Sequence, residues 1–275
     1  MFDSSRPPAW TLRLGDGKAR MAELPASSVD LVYMDPPFNS GLRRKGRGTL
    51  AYEDRFSSID SYRGFLRPLI EEAHRVLANT GSILVHVDWR TSHHVRLWLD
   101  EVFGADNFVN HLIWSYGLGG SGPRTFARKH DDILFYGRSP DYYFEAPRVA
   151  ARSVRLRGQT KKATDVLDVP SLNNMAIERT GWPTQKPEAL LSLLVRACAR
   201  EGGLVVDPMC GSGTTLAAAV RSGRSAFGFD QSPEAITVTR GRLERIARTA
   251  LMPTPLSTPG PEVEPRVEPG YLRTA

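Results

Sequence analysis

Short apolar runs that stop at aspartates limit what this chain can become. "WTLRLGD", "VDLVYMD", "GLVVD" and "SAFGFD" read as buried strands, and they end at Asp16, Asp35, Asp207 and Asp230. Amphipathic helices separate them. In "SSIDSYRGFLRPLIEEAHRVLANTG" the side chains of Phe65, Leu66, Leu69, Ile70, Ala73, Val76 and Leu77 share one face, with a kink expected at Pro68. Near-continuous apolar strands between such helices predict a parallel sheet covered on both faces, a doubly wound α/β fold. Ligands of these sheets bind beyond the carboxyl ends of the strands. Four carboxylates therefore fall along one rim.

The remaining pattern fills in around this frame. "SILVHVDW" reads as another strand and "TSHHVRLWLDEVFG" as a helix ended by Gly104. "NFVNHLIWSYG" and "DDILFYGR" predict an antiparallel pair at a sheet edge, joined by a loop with Gly117, Gly119, Gly120 and Gly122 that is expected to be mobile. "PEALLSLLVRACARE" predicts a helix, and Ser232 followed by Pro233 is a sound N-cap and first-turn pair for the last one. Residues 1–8 and the proline-rich tail 251–275 lack apolar periodicity and are expected to be disordered.

Charge points to the partner. The formal net charge is +6 and the pI near 9.5. Three segments carry most of it: Arg43, Arg44, Lys45 and Arg47; Arg124, Arg128 and Lys129; and Arg148, Arg152, Arg155, Arg157, Lys161 and Lys162. Basic loops without acidic residues among them favour a polyanion over plain solvated surface. Cys198 and Cys210 have no C-x-x-C partner, no apolar run approaches the ~20 residues of a membrane helix, and no signal-peptide pattern opens the chain. A soluble, reduced, cytoplasmic protein is expected. Six histidines show no metal-ligand spacing, so no metal is expected. Trp89, Trp98 and Trp114 read as core or edge packing, and His86 and Asp88 as neighbours of the cofactor.

Two motifs carry chemistry. "VVDPMCGSGTT" is strand, turn and helix start, without the lysine of a phosphate-binding loop and with Leu216 where a dinucleotide fingerprint has its third glycine. It suits a ligand with a cationic or hydroxyl-bearing part at Asp207 and an anionic group at the amides and hydroxyls of Ser212, Thr214 and Thr215. Asp230 ends the next strand, where an acid grips ribose hydroxyls. Ribose plus an amino-acid zwitterion describes S-adenosylmethionine, while a tight turn with Asp207 as helix cap is the bland alternative. "DPPF" at 35–38 can be a mere strand stop. It can also hold an exocyclic amine: Asp35 and the Pro36 carbonyl accept its hydrogens, Asp35 stabilises the charge that develops on nitrogen, Pro36 and Pro37 stiffen the acceptors, and Phe38 offers a face to an extruded base.

Together "GDGKARMAELPASSVDLVYMDPPFNSG", "RVLANTGSILVHVDW", "FARKHDDILFYGRS", "WPTQKPEALLSLLVRACA", "VVDPMCGSGTTLAAA" and "GFDQSPEAI", in this order, resemble the β-group amino-methyltransferases of DNA. The resemblance implies a Rossmann-like class I methyltransferase sheet, circularly permuted so that a catalytic half (9–138) precedes a cofactor half (182–250), with a small basic target-recognition insertion at 139–181. It implies catalysis by Asp35, Pro36, Pro37 and Phe38. S-adenosylmethionine would contact Asp16, Thr184, Gln185, Lys186, Pro187, Asp207, Pro208, Met209, Cys210, Gly211, Ser212, Gly213, Thr214, Thr215, Asp230 and Gln231, with Met209 standing where the family usually has Phe. Double-stranded DNA would meet the basic segments. An acidic first motif residue favours the N6 amine of adenine, with N4 of cytosine, amide or RNA methylation, and a catalytically inactive nucleic-acid-binding protein as alternatives. Homodimers and a cognate restriction endonuclease are partners that the resemblance allows and that no residue pattern encodes.

Overall fold

The computed structural model describes residues 9–117, 121–150, 158–173 and 175–251. The disorder expected of residues 1–8 and of the tail past 251 lies outside these residues, as do Arg152, Arg155, Arg157, Gly119 and Gly120. The order of elements is β1 (Trp10–Leu14), α1 (Gly17–Ala22), β2 (Val29–Met34), β3 (Leu42–Lys45), β4 (Ala51–Asp54), α2 (Ile59–Val76), β5 (Leu77–Val87), α3 (Ser92–Phe103), β6 (Phe108–Ser115) and β7 (His130–Gly137). There follow β8 (Arg148–Ala150), β9 (Thr160–Lys162), β10 (Val166–Asp168), α4 (Glu188–Cys198), β11 (Leu204–Asp207), α5 (Thr214–Arg221), β12 (Ser225–Asp230) and α6 (Pro233–Leu251).

Eight strands form the main sheet in the order β1-β12-β11-β2-β5-β7-β6-β10. All neighbours pair in parallel except β7, which is antiparallel to β5 and to β6. Side chains alternate between the two faces as the pleat requires. Leu31, Tyr33 and Leu84 pack under α4, α5 and α6, whereas Val32, Met34, Ile83 and Val85 pack with Met21 of α1 and the apolar faces of α2 and α3. Burying each such side chain contributes roughly 1.5–3 kcal/mol, which holds β2 rigidly at the sheet centre.

The helix caps follow the local sequence. Ser58 Oγ accepts from Ser61 N at the start of α2, and Ser232 Oγ accepts from Ala235 N at the start of α6. Pro68 lies inside α2 and does not end it. The antiparallel β6–β7 pair is present but is not the sheet edge, because β10 adds to β6 in parallel. The segment 139–181 thus contributes one strand to the main sheet and a β8–β9 hairpin outside it. The first basic segment, Arg43 to Arg47, expected as a loop, belongs to an antiparallel hairpin of β3 and β4.

Candidate active site

Parallel pairing brings the acidic strand ends together. β11 lies between β2 and β12, and β12 pairs with β1, so the chain turns at Asp35, Asp207, Asp230 and Asp16 on one rim. All four line one cavity of about 460 Å³, a volume typical of sites for cofactor-sized ligands (~300–1,000 Å³).

One wall is the loop between β11 and α5. Gly211 and Gly213 have φ of 48° and 72°, and a Cβ at either would collide with Trp182 Nε1 or with Thr239. The loop is fastened from several sides. Asp230 accepts from Gly211 N at 2.8 Å and Ser232 N at 2.9 Å, and Asp207 accepts from Met209 N at 3.1 Å. Arg242 of α6, itself buried, donates to Thr214 Oγ1 at 2.9 Å and forms ion pairs with Glu178 and Glu188. Sequence reasoning missed Arg242, since nothing in a helical run of basic residues marks the one that turns inward. Asp16 caps α1 through Ala19 N and accepts from Gln231 Nε2 at 2.8 Å, joining two residues expected at the cofactor. Burial pushes Asp207 up to about 7, reinforced by Asp35 and Asp230 and opposed by hydrogen bonds from Thr215 and Met209. Burial also raises Asp230, against hydrogen bonds from Ser232, Gly211 and Gln231.

Thr184, Gln185 and Lys186 line the same cavity, while Pro187 caps α4 instead. Lys186 makes a further contact that the sequence did not announce. Its side chain is only 7% exposed, and its ammonium donates to both oxygens of Asp35 at 2.6 and 2.5 Å and lies 5.0 Å from the Phe38 ring centre. The lysine thus faces the carboxylate assigned to catalysis. Its backbone carbonyl accepts from Thr214 Oγ1, tying it to the glycine loop.

A second cavity, of about 530 Å³, opens on the other side of Asp35 and Lys186. Phe38, Trp114, Tyr116 and Asp131 wall it, and Arg44, Arg90, Arg128 and Arg179 also line it. Phe38 stacks on His86 at 5.8 Å and 30°. His86 is fully buried between Tyr33 Oη (2.7 Å from Nδ1) and Asp131 (3.2 Å from Nε2). Burial alone would raise Asp131, but the His86 hydrogen bond and charge, with Lys186, hold it below the ordinary carboxylate value. Asp88 lines the second cavity, whereas His86 lines neither and meets the second only through Phe38 and Asp131; neither residue lines the cavity expected to hold the cofactor, which corrects the expectation above. Ser171 Oγ at the same wall is buried without a hydrogen-bond partner. Trp98 and Trp114 are buried as expected, but Trp89 is 43% exposed, with the Arg128 guanidinium 4.0 Å and the Arg90 guanidinium 4.8 Å from its ring.

The basic residues separate into classes. Arg43 and Arg44 face Glu53 and Asp54 across the β3–β4 hairpin, so the first cluster has acidic partners in space that the linear sequence hid. Lys161 and Lys162 are exposed on β9, and Arg124 and Lys129 are exposed near Arg128. Cys198 and Cys210 are buried and free. Burial pushes the Cys198 thiol up to about 12 and that of Cys210 well above its ordinary value, which disfavours the thiolate a nucleophile needs. Among the described residues no group of three or more His, Cys, Asp or Glu can hold a metal ion, and no helix is long and apolar enough to cross a membrane.

Comparison with known proteins adds to this geometry. The profile of the DNA methylase family N6_N4_Mtase matches residues 29–240. DNA adenine methyltransferase YhdJ of Escherichia coli (strain K12) is 31% identical over 253 residues, spanning 86% of this chain and 83% of its own length. Type II methyltransferase M.HpaI of Haemophilus parainfluenzae is 30% identical over 231 residues, spanning 82% and 71%. Among solved structures, PvuII DNA methyltransferase (cytosine-N4-specific) superposes with a TM-score of 0.65 at 15% identity, over 89% of this chain and 94% of that one. TTHA0409 of Thermus thermophilus, complexed with S-adenosyl-L-methionine, superposes with a TM-score of 0.61 at 21% identity, over 86% and 94%.

Proposed function

The chain belongs to the N6/N4 DNA methylase family, and from that premise we propose that it methylates the N6 amine of adenine in DNA, on a base swung out of the duplex into the second cavity. Its cofactor is S-adenosylmethionine, which when bound supplies an electrophilic methyl carbon on a sulfonium centre. The first cavity fits that molecule by its chemistry: four strand-end carboxylates favour a cationic ligand, and the helix start at Thr214 favours the ligand's carboxylate. Asp207, Asp230, Asp16 and Gln231 would hold it along the rim.

One observation carries the reading: Asp35 lines both cavities. A group bridging two pockets can serve a reaction between their contents. The amine of a nucleobase is a weak nucleophile because its lone pair is drawn into the ring. Asp35 accepts a hydrogen bond from it and stabilises the positive charge that grows on nitrogen. The Lys186 ammonium makes with Asp35 the contacts that the amine needs, so the amine would take the lysine's place. Phe38, backed by His86, gives the base a flat apolar partner.

Asp35 itself and the likeness to YhdJ support adenine. The likeness to the cytosine-N4 enzyme is one of fold, at 15% identity. Unmethylated genomic DNA incubated with the protein and labelled cofactor, then digested and resolved by mass spectrometry, should yield N6-methyladenine. N4-methylcytosine would move the target to cytosine, and unmodified DNA would leave the binding-protein alternative.

A further inference from the structure

Large apolar side chains stand almost wholly in solvent on two loops that end at the second cavity. Phe126 is 99% exposed, Met175 88%, and Ile177 completely. One such residue alone is ordinary for a protein surface. These three, however, adjoin cavity-lining residues. Phe126 comes two positions before Arg128, and the chain leaves the cavity at Leu172 and returns to it at Arg179.

The second loop is a built turn. Met175 N donates to Asn173 Oδ1, Ala176 N to Asn173 O, and Arg179 N to Ala176 O. Met175 and Ile177 are therefore presented outward by a hydrogen-bonded backbone. The same mouth carries Arg128 and Arg179, and Arg128 lies on Trp89. A partner for this surface has to offer anionic groups outside and flat apolar faces within. Duplex DNA has that chemistry: phosphates around stacked bases.

Building on the methyltransferase reading, we propose that Met175 and Ile177, with Phe126 from the neighbouring loop, insert into the base stack and fill the gap left by the extruded nucleotide. Apolar side chains that wedge between base steps offset the cost of unstacking, and emptying a position in the duplex is the costly step in presenting a base to an enzyme. The arginines hold the flanking phosphates while the apolar tips hold the stack open.

The test compares two duplexes around the site that the wild-type protein methylates, mapped first in unmethylated plasmid DNA. In one the target base faces its normal partner, and in the other an abasic nucleotide, which removes much of the unpairing cost. M175A/I177A should lose about tenfold or more in kcat/KM on the paired duplex yet stay within about threefold of wild type on the abasic one. With 2-aminopurine at the target position, wild type should raise the fluorescence and the variant should bind without raising it. M175L/I177V, which keeps the apolar volume, should retain paired-duplex activity, and calorimetry with S-adenosylmethionine should show unchanged affinity in both variants. Equal losses on the two duplexes, or no loss on either, would overturn the wedge. Failure of the wild-type protein to methylate any DNA would instead overturn the reading beneath it.

Discussion

Asp35→Ala removes more than a catalytic acceptor, because the Lys186 ammonium depends on it. The Lys186 side chain is 7% exposed, while the Asp35 side chain keeps 21% of its surface in water. Deleting one partner of a fully buried pair costs roughly 3–5 kcal/mol, and of an exposed pair about 0–1. Two features put this pair between those limits. Water reaches Asp35, and the charge of Asp131 also acts on Lys186. A cost of about 2 kcal/mol follows for Asp35→Ala, a fall of roughly 4–8 °C in Tm for a chain of this size. Lys186→Met should cost less, about 1 kcal/mol, since the remaining carboxylate can turn toward solvent. The double variant leaves neither charge stranded, so the two losses should fail to add by about 1–2 kcal/mol. Denaturant unfolding of the four cofactor-free proteins at one pH completes the cycle. Loss of activity in Asp35→Ala discriminates nothing, being expected of any catalytic group. Additive losses, or an Asp35→Ala protein as stable as wild type, would refute the idea that Lys186 holds the amine's position.

Asp207 predicts a pH effect with a definite sign. Burial raises its folded pKa to about 7, above the unfolded value of about 3.9, so the native state keeps a proton that the unfolded chain has lost. Its contribution is fully present below about pH 4 and is lost as the pH rises to about 7. Asp207→Asn should flatten that slope in denaturant midpoints of the cofactor-free protein, and an unchanged slope would place the titration elsewhere. Arg242→Met should leave the glycine loop unfastened at Thr214 and weaken S-adenosylmethionine binding by about tenfold or more, as removing a buried charged donor strands its partners. Calorimetry reads this directly, and undiminished affinity would make the clamp irrelevant to the loop.

The rim of four aspartates was legible because buried parallel strands announce themselves as apolar runs, and each run here stops at its carboxylate. The glycine loop was legible for a similar reason: strand, turn and helix are contiguous in the chain. Contacts between distant segments were not. Lys186 and Asp35 are 151 positions apart, and no local spacing can record that they meet. Trp89 was misread because it follows a buried strand, yet the chain has already turned at Asp88, whose carboxylate accepts from Arg90 N. The neighbouring Arg90 was the available signal. The β3–β4 hairpin escaped because "LRRK" lacks the alternation of a half-buried strand, and Arg43 and Arg44 are matched by acids only once the strands pair.

The chain order of the sheet has a consequence during synthesis. β2 emerges from the ribosome together with β5 on one side of it, but its other neighbour, β11, begins only at Leu204. Until then an apolar strand waits with one flank bare, and bare flanks invite association with other nascent chains. Translation arrested before that point should give a product that needs a chaperone, whereas a gene rearranged to begin just ahead of β11 would let β2 dock on β11 as it leaves the exit tunnel.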